Sequence, residues 1–343
     1  MTLTGLFPSG AHIVGLPDND NPRLLCMGSN GLKRWKESAF YPAYRPSAQA
    51  YRLLLRLKAA LGIHTVTLTH SDRWWVREFV QDVFPKVSSL AILVGTAGPT
   101  QKLIIQIWDD RSVIGYMKFA QTPTARVRLG KEHKVLLAVP KGVGPKVLRF
   151  GKVGSGEALL IAPVTGKPVS TQLPPRYLIW DFGRALETSQ TVSLDVHPWI
   201  QMLRLSYGDY ADSWIDRLSH RKWPIAYQHG DLAPWNLFDC SNSSLVAIDW
   251  EHGATEGFPY VDIIHYFLQV SLLIYRRSPQ RAKRLVMQYL SHQLRSLDSY
   301  EIEALVNLSA FSTFKQAEQD GHSESSYYQA WRRAIWMDGI DAA

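Results

Sequence analysis

The sequence predicts an α+β chain, with strands first, helices after, and an N-terminal extension ahead of both. Three observations predict it. From residue 89, apolar runs of strand length alternate with glycine and polar turns, with one helical stretch among them. Beyond about residue 170 the patterning is mostly helical. Within that helical half, short apolar runs at 226–250 carry polar residues at fixed spacing. At 343 residues and 38.9 kDa, the chain is long enough for one large domain or for two lobes with a core each. The boundaries read as an extension over 1–85, a strand-rich lobe over 86–163 and a mainly helical lobe over 164–343.

The first 45 residues are rich in Gly, Pro, Asn and Asp, and "PSAQAYRLLLRLKAALGI" (46–63) then reads as a helix. Leu53, Leu54, Leu57 and Leu61 fall in one stripe there, with Arg52 and Arg56 beside it. Residues 1–63 hold eight Lys/Arg against three Asp/Glu. Residues 46–63 are therefore a candidate for weak peripheral contact with an anionic membrane, where each basic group contributes about 1 kcal/mol. The plainer expectation packs the helix on the rest of the protein. A second helix is expected over 71–84, with Ser71 as N-cap. The segment 89–120 then predicts three antiparallel strands, joined by a glycine turn at 95–101 and a polar turn at 109–112. A helix over 124–139, despite Gly130, and strands in "KVLRFG" and "ALLIAPV" complete the order β-β-β-α-β-β.

With 46% hydrophobic and 20% charged residues, a globular protein is expected. Two cysteines, Cys26 and Cys240, are too few for a disulfide framework, and no Cys/His cluster offers a zinc site. A reducing, cytoplasmic setting is the default expectation. The start lacks the basic region of a signal peptide. The longest apolar run, 261–275, is interrupted by Asp262, His265 and Gln269 and is shorter than the roughly 20 residues that span a bilayer. It predicts a buried helix. The net charge of +8 and pI near 9.4 invite a nucleic-acid reading. The basic residues are scattered, however, and no nucleic-acid-binding signature occurs. A solvated basic surface, with no nucleic-acid partner, is the expectation.

The chemistry concentrates in "YQHGDLAPWNLFDCSNSSLVAIDWEHG" (227–253), with His229, Asp231 and Asn236 spaced H-x-D-x-x-x-x-N and a strand-like "LVAIDW" carrying Asp249. That pattern suits phosphoryl transfer, which needs an aligned acceptor hydroxyl and neutralised phosphate charge more than covalent chemistry. Asp231 can orient a hydroxyl and take its proton. Asn236 and Asp249 are hard oxygen donors, the kind magnesium prefers. His229 is expected to brace the loop.

Residues 90–270 resemble the aminoglycoside phosphotransferase and choline kinase type of small-molecule kinase, whose fold is bilobal and protein-kinase-like. "HGDLAPWNL" followed by "AIDWE" carries the resemblance most strongly. It implies a five-stranded antiparallel N-lobe sheet with one helix that binds nucleotide, and a mainly helical C-lobe that holds catalysis and acceptor. It also implies ATP or GTP as donor with Mg2+. By the same resemblance Asp231 is the catalytic base, and Asn236 and Asp249 hold the metal. "VGTAGPT" (94–100), with Gly95 and Gly98, covers the nucleotide; Lys118 holds the phosphates and pairs with Glu132; Ile161, Ala162 and Pro163 meet adenine. Glu251 is a candidate supporting carboxylate, and Asp262 reads as a helix N-cap.

The expected function is ATP-dependent O-phosphorylation of a small molecule; the alternatives are a protein kinase and a catalytically silent scaffold. Only 12 residues separate Asp249 from Asp262, no A-P-E follows, and Gly230 replaces the arginine that reads a phosphorylated loop. Asp231, Asn236 and Asp249 are all present, which speaks against silence. Slightly more Lys/Arg than Asp/Glu in 263–343 favours a sugar, nucleoside, glycan precursor or amino alcohol over a polycationic aminoglycoside. Oligomeric state is left open. A second motif, Asp181-Phe182-Gly183, precedes Asp231 by 50 residues and is read as a turn, with Asp181 capping a short helix.

Overall fold

Alternate residues of the first strands point to opposite faces of one sheet, and each face finds its own cover. The structure, a computed structural model, describes residues 5–43, 46–63, 65–67, 73–175, 177–240 and 244–337. It divides into two compact units, one of residues 1–134 and 145–164, the other of 135–144 and 165–343.

The first unit runs β1 (His12–Leu16), β2 (Leu24–Cys26), α1 (Gly31–Glu37), α2 (Pro46–Leu61), β3 (Thr65–Thr67), α3 (Trp75–Val80), β4 (Ser89–Val94), β5 (Lys102–Trp108), β6 (Val113–Ala120), α4 (Pro123–Ala138), β7 (Val147–Val153) and β8 (Gly156–Ile161). The five strands expected from the sequence are β4 to β8. The extension adds three more at the β4 edge, giving one eight-stranded sheet in the order β3-β1-β2-β4-β5-β6-β8-β7, antiparallel at every pair. Leu25, Leu90 and Ile92 enter the core with Val76, Phe79 and Val80 of α3. Their neighbours Leu24, Cys26 and Ala91 face the other way, against Leu55 and Ala59 of α2. So α2 packs through Leu55 and Ala59, while the leucine stripe seen in the sequence stays exposed. The helix α3 is shorter than the expected 71–84, and Ser71 lies outside the described residues.

Buried at the end of α1, Glu37 accepts from Gly28 N at 2.8 Å and from Ser89 Oγ at 2.5 Å. Burial pushes its carboxyl up to about 7, against the pull of these donors and of Lys33 and Arg34.

The second unit continues with β9 (Lys167–Pro168), α5 (Tyr177–Ala185), β10 (Glu187–Val192), α6 (Pro198–Tyr207), α7 (Asp212–Leu218), β11 (Trp223–Gln228), β12 (Leu237–Cys240), β13 (Ser244–Ala247), β14 (Ala254–Gly257), α8 (Val261–Leu273), α9 (Pro279–Gln293), α10 (Ser299–Gln319) and α11 (Tyr327–Trp336). Two small antiparallel sheets, β10-β11-β14 and β13-β12-β9, flank the loop of interest. Almost all of α8 is buried, as its apolar run requires. Asp298 and Glu301 close a reciprocal cap on α10. Asp181 sits inside α5 rather than in a turn before it, because Ile179 and Phe182 bury an apolar side of that helix. Among the described residues, no helix is long and apolar enough to cross a membrane.

Candidate active site

The loop after β11 turns sharply because Gly230 allows it. Its φ is +81°, and a Cβ there would stand 2.6 Å from the His252 carbonyl oxygen. An arginine in that position would meet backbone, so glycine is required by geometry. Two consecutive N–H groups of this turn, His229 N and Gly230 N, donate to the Asp262 carboxylate at 2.6 and 2.9 Å. Asp262 is thus no N-cap: Tyr260 takes that position on α8, and Asp262, one residue into the helix, anchors the loop instead. Burial raises its carboxyl above the usual range, opposed by His229 and by the two donors.

His229 is fully buried, and its partners define its tautomer. The Ile248 carbonyl, 2.8 Å from Nε2, can only accept, and the Asp231 N–H, 3.3 Å from Nδ1, can only donate. Nε2 therefore carries the proton. The ring lies 4.7 Å from that of buried Trp250, whose Nε1 donates to the Ala247 carbonyl. His229 so ties the loop to the strand end that bears Asp249.

Asp231 is gripped at both carboxylate oxygens. His265 Nε2 lies 3.1 Å from Oδ1, and Asn236 Nδ2 lies 3.2 Å from Oδ2 and 2.9 Å from the Asp231 carbonyl. The side chain is nevertheless 35% exposed, so a substrate can reach it. Burial would raise its carboxyl, but the hydrogen bond and electrostatic pull of His265 hold it below the ordinary value; Asp249 pulls the other way. His265 is buried on α8, and its Nδ1 meets Thr313 Oγ1 of α10 at 3.1 Å. Half-buried Arg332 of α11 is pushed below its ordinary value by burial, with the charges of Asp231 and Asp320 opposing that shift.

Asn236 Nδ2 faces a carbonyl and a carboxylate, both acceptors, so the amide oxygen lies on the other side of the group. The Asn236 carbonyl accepts from Ile248 N at 2.8 Å, next to Asp249, which adopts a left-handed φ of 68°. An amide oxygen and a carboxylate on adjoining segments fit a hard divalent cation such as Mg2+ when phosphate oxygens supply the remaining ligands. Among the described residues, no group of three or more His, Cys, Asp or Glu could hold a metal without such help. Glu251 is half-buried.

In the other unit, Lys118 near the end of β6 and Glu132 on α4 are both buried and form an ion pair at 2.5 Å. The β4–β5 turn is held by Gly95 N donating to the Lys102 carbonyl at 2.9 Å and by Gln101 Nε2 donating to the Gly95 carbonyl at 2.9 Å. A Cβ at Gly95 would stand 2.6 Å from that Lys102 oxygen, whereas Gly98, at φ +151°, has open space around it. Thr122, which caps α4 through Ala125 N, also donates to the Pro99 carbonyl and so ties this turn to the helix. After β8, Ala162 gives its N–H to the Lys146 carbonyl at 2.9 Å, and Pro163 has none to give.

The chain is similar to solved small-molecule kinases. A choline kinase LicA from Streptococcus pneumoniae is 16% identical, at a TM-score of 0.49 over 78% of this chain and 98% of that one. The Plasmodium vivax ethanolamine kinase is 13% identical, at 0.45 over 88% and 96%. A macrolide 2'-phosphotransferase type I is 13% identical, at 0.42 over 77% and 97%. No protein-family model matches the chain, and no curated protein matches it. Likeness at this level does not reach a site or a substrate. The strands β4 to β8 with α4 among them, followed by a mainly helical unit, keep the α+β order expected from the sequence.

Sequence reasoning missed His265, Thr313 and Arg332 and misread Asp262. One signal was available: Asp262, His265 and Gln269 interrupt an apolar run at i, i+3 and i+7, which is one side of a helix. Thr313 and Arg332 lie on helices far along the chain, and no local pattern connects them to the loop.

Proposed function

We propose that this protein transfers the γ-phosphoryl group of ATP or GTP to a hydroxyl of a small molecule. The hydroxyl oxygen forms the new bond to γ-phosphorus, the bond from that phosphorus to the β-phosphate oxygen breaks, and Asp231 orients the hydroxyl and accepts its proton. The observation that carries the reading is the geometry of Asp231, fixed at both oxygens by His265 and Asn236 and still open to substrate; His265 also lowers its carboxyl. Asn236 and Asp249 are the residues that would hold Mg2+, which when bound screens charge on the phosphates. Lys118, fixed by Glu132, suits the phosphates; Gly95 and Gly98 suit a turn over the nucleotide; at Ile161, Ala162 and Pro163 the committed N–H of Ala162 leaves carbonyl oxygens for an adenine amino group.

A small acceptor is favoured over a protein. The segment from Asp249 to Asp262 is taken up by the Trp250 turn, β14 and the entry to α8, with β14 paired to β11, which gives a peptide little to bind. Arg332 beside Asp231 argues for a neutral or anionic acceptor, since a polycation would meet like charge there. Sugars, nucleosides, glycan precursors and amino alcohols therefore come before aminoglycosides.

The test is an acceptor screen across sugars, amino alcohols, nucleosides and aminoglycosides, read as a mass gain of one phosphate with Mg2+-dependent ADP release. Phosphate appearing only on protein would favour the protein-kinase reading, and no ADP release with any acceptor would favour a silent scaffold.

A further inference from the structure

Helix α2 has two apolar sides, and the sheet uses one. Leu55 and Ala59 are closed against Val14, Leu16, Leu24, Cys26 and Ala91. On the opposite side Leu53, Leu54, Leu57 and Leu61 are all exposed, Leu61 by 75%. The apolar surface continues past the helix end to Ile63. It also reaches toward α1, where Leu32 is 68% exposed next to Gly31, whose added Cβ would stand 2.6 Å from the Ala60 carbonyl oxygen. Scattered exposed leucines need no explanation, but a contiguous stripe with adjoining apolar groups marks an interaction surface.

Charge identifies the occupant. From Ser38 to Ser71 the sequence contains no Asp or Glu, while Arg45, Arg52, Arg56 and Lys58 are present. Lys58 is exposed at the edge of the stripe and Lys36 is exposed on α1. Arg56 is engaged within the fold, stacked 4.1 Å from the Trp35 ring centroid and donating Nε to the Trp35 carbonyl. A second copy of the chain meeting this stripe would bring basic rims together with no carboxylate of the segment to pair them. A surface of anionic lipid supplies what the face lacks: an apolar interior for the leucines and a layer of phosphate charge for the lysines.

We propose that the N-terminal extension docks on an anionic lipid surface through the outer side of α2, which lies in the plane of the interface with its leucine stripe immersed. At 16 residues and about 1.5 Å per residue, the helix presents roughly 24 Å of length to the lipid. Hydrophobic immersion provides affinity and Lys58 and Lys36 provide the preference for negative headgroups. Binding is therefore salt-sensitive but not abolished by salt.

The experiment is flotation of the full chain with phosphatidylcholine vesicles and with phosphatidylcholine vesicles containing phosphatidylglycerol, at low and high salt. The parent is expected to float with the second and less with the first. Leu54→Ser/Leu57→Ser/Leu61→Ser should weaken partition by at least about tenfold, with circular dichroism and Tm unchanged because these side chains are exposed. Lys58→Glu, which leaves the apolar stripe intact, should lose the preference for phosphatidylglycerol. Equal flotation of parent and triple-serine protein would overturn the proposal, as would failure to bind the anionic vesicles. A concentration-dependent dimer in sedimentation velocity, made monomeric by the triple substitution, would assign the stripe to a second copy instead. No step depends on turnover, so the result stands apart from the phosphotransfer reading.

Discussion

Two charged contacts, one in each unit, use similar chemistry to opposite ends. Lys118 and Glu132 join β6 to α4 with both side chains shut away, at 6% and 0% exposure. Asp231 and His265 join a loop to α8, with the histidine buried and the carboxylate left open. A buried pair fixes the position of the strand and helix that carry it. A pair open on one side keeps oxygen lone pairs for an incoming hydroxyl. The difference lies in what backs each group: strand and helix on both sides of Lys118, but only α8 and the Asn236 turn behind Asp231.

The largest effect should come from breaking the open pair at its carboxylate. Asp231→Asn keeps the shape and the Asn236 contact but removes the proton acceptor, and phosphate transfer should fall by about 10^2 to 10^4 with little change in Tm. Parent-like ADP release would remove Asp231 from the chemistry. Next comes the closed pair. Lys118→Met leaves Glu132 buried without that lysine's charge, which costs about 3–5 kcal/mol in a urea titration. Adding Glu132→Leu should restore much of that stability while nucleotide binding stays weak; stability that did not recover would show that the pair is not what the first substitution broke.

Glu37, a buried carboxyl held by Ser89 and Gly28 rather than by a lysine at contact distance among the described residues, sharpens the contrast. Its folded value of about 7 lies above the unfolded one, so the folded state holds a proton that the unfolded chain releases. Stability is then full below the unfolded value and is lost as pH rises toward 7, by up to about 3 kcal/mol. The urea midpoint should fall across that window in the parent and stay flatter in Glu37→Gln; identical slopes would refute it. The smallest effect is expected at His265. His265→Leu should lower kcat by about tenfold at unchanged KM for ATP. Because His265 lowers the Asp231 value, the acid limb of the rate profile should move to higher pH. His265→Gln, which can still donate to Asp231, should lie between. A loss of Tm with no movement of that limb would make His265 merely structural.

The closed pair was expected only through the family resemblance, which matched Lys118 to a strand-end lysine and Glu132 to the helical glutamate that pairs with it; spacing alone left Glu132 free to lie on a solvated helix face. The candidate loop was legible because His229, Asp231 and Asn236 lie within eight residues and Asp249 follows on the hairpin strand. Asp181 spelled a misleading motif, and its place inside α5 removes it from that loop. The three strands of the extension escaped notice because β2 and β3 have three residues each, too short for alternation to register. The leucine stripe of α2 was visible, but which side of the helix met the sheet was not, since Leu55 and Ala59 look no more apolar than their neighbours.

The sequence by itself determined the α+β class, the order of the elements from residue 89 to 161 and the residues of the candidate loop, because these follow from local periodicity and short spacing. Only the tertiary structure decided that Asp262 anchors the loop, that His265 meets Asp231 with Arg332 within range of its charge, and that α2 turns its leucines outward. Those contacts join residues tens to a hundred positions apart, and long-range packing, rather than local preference, sets which side of a helix meets which loop.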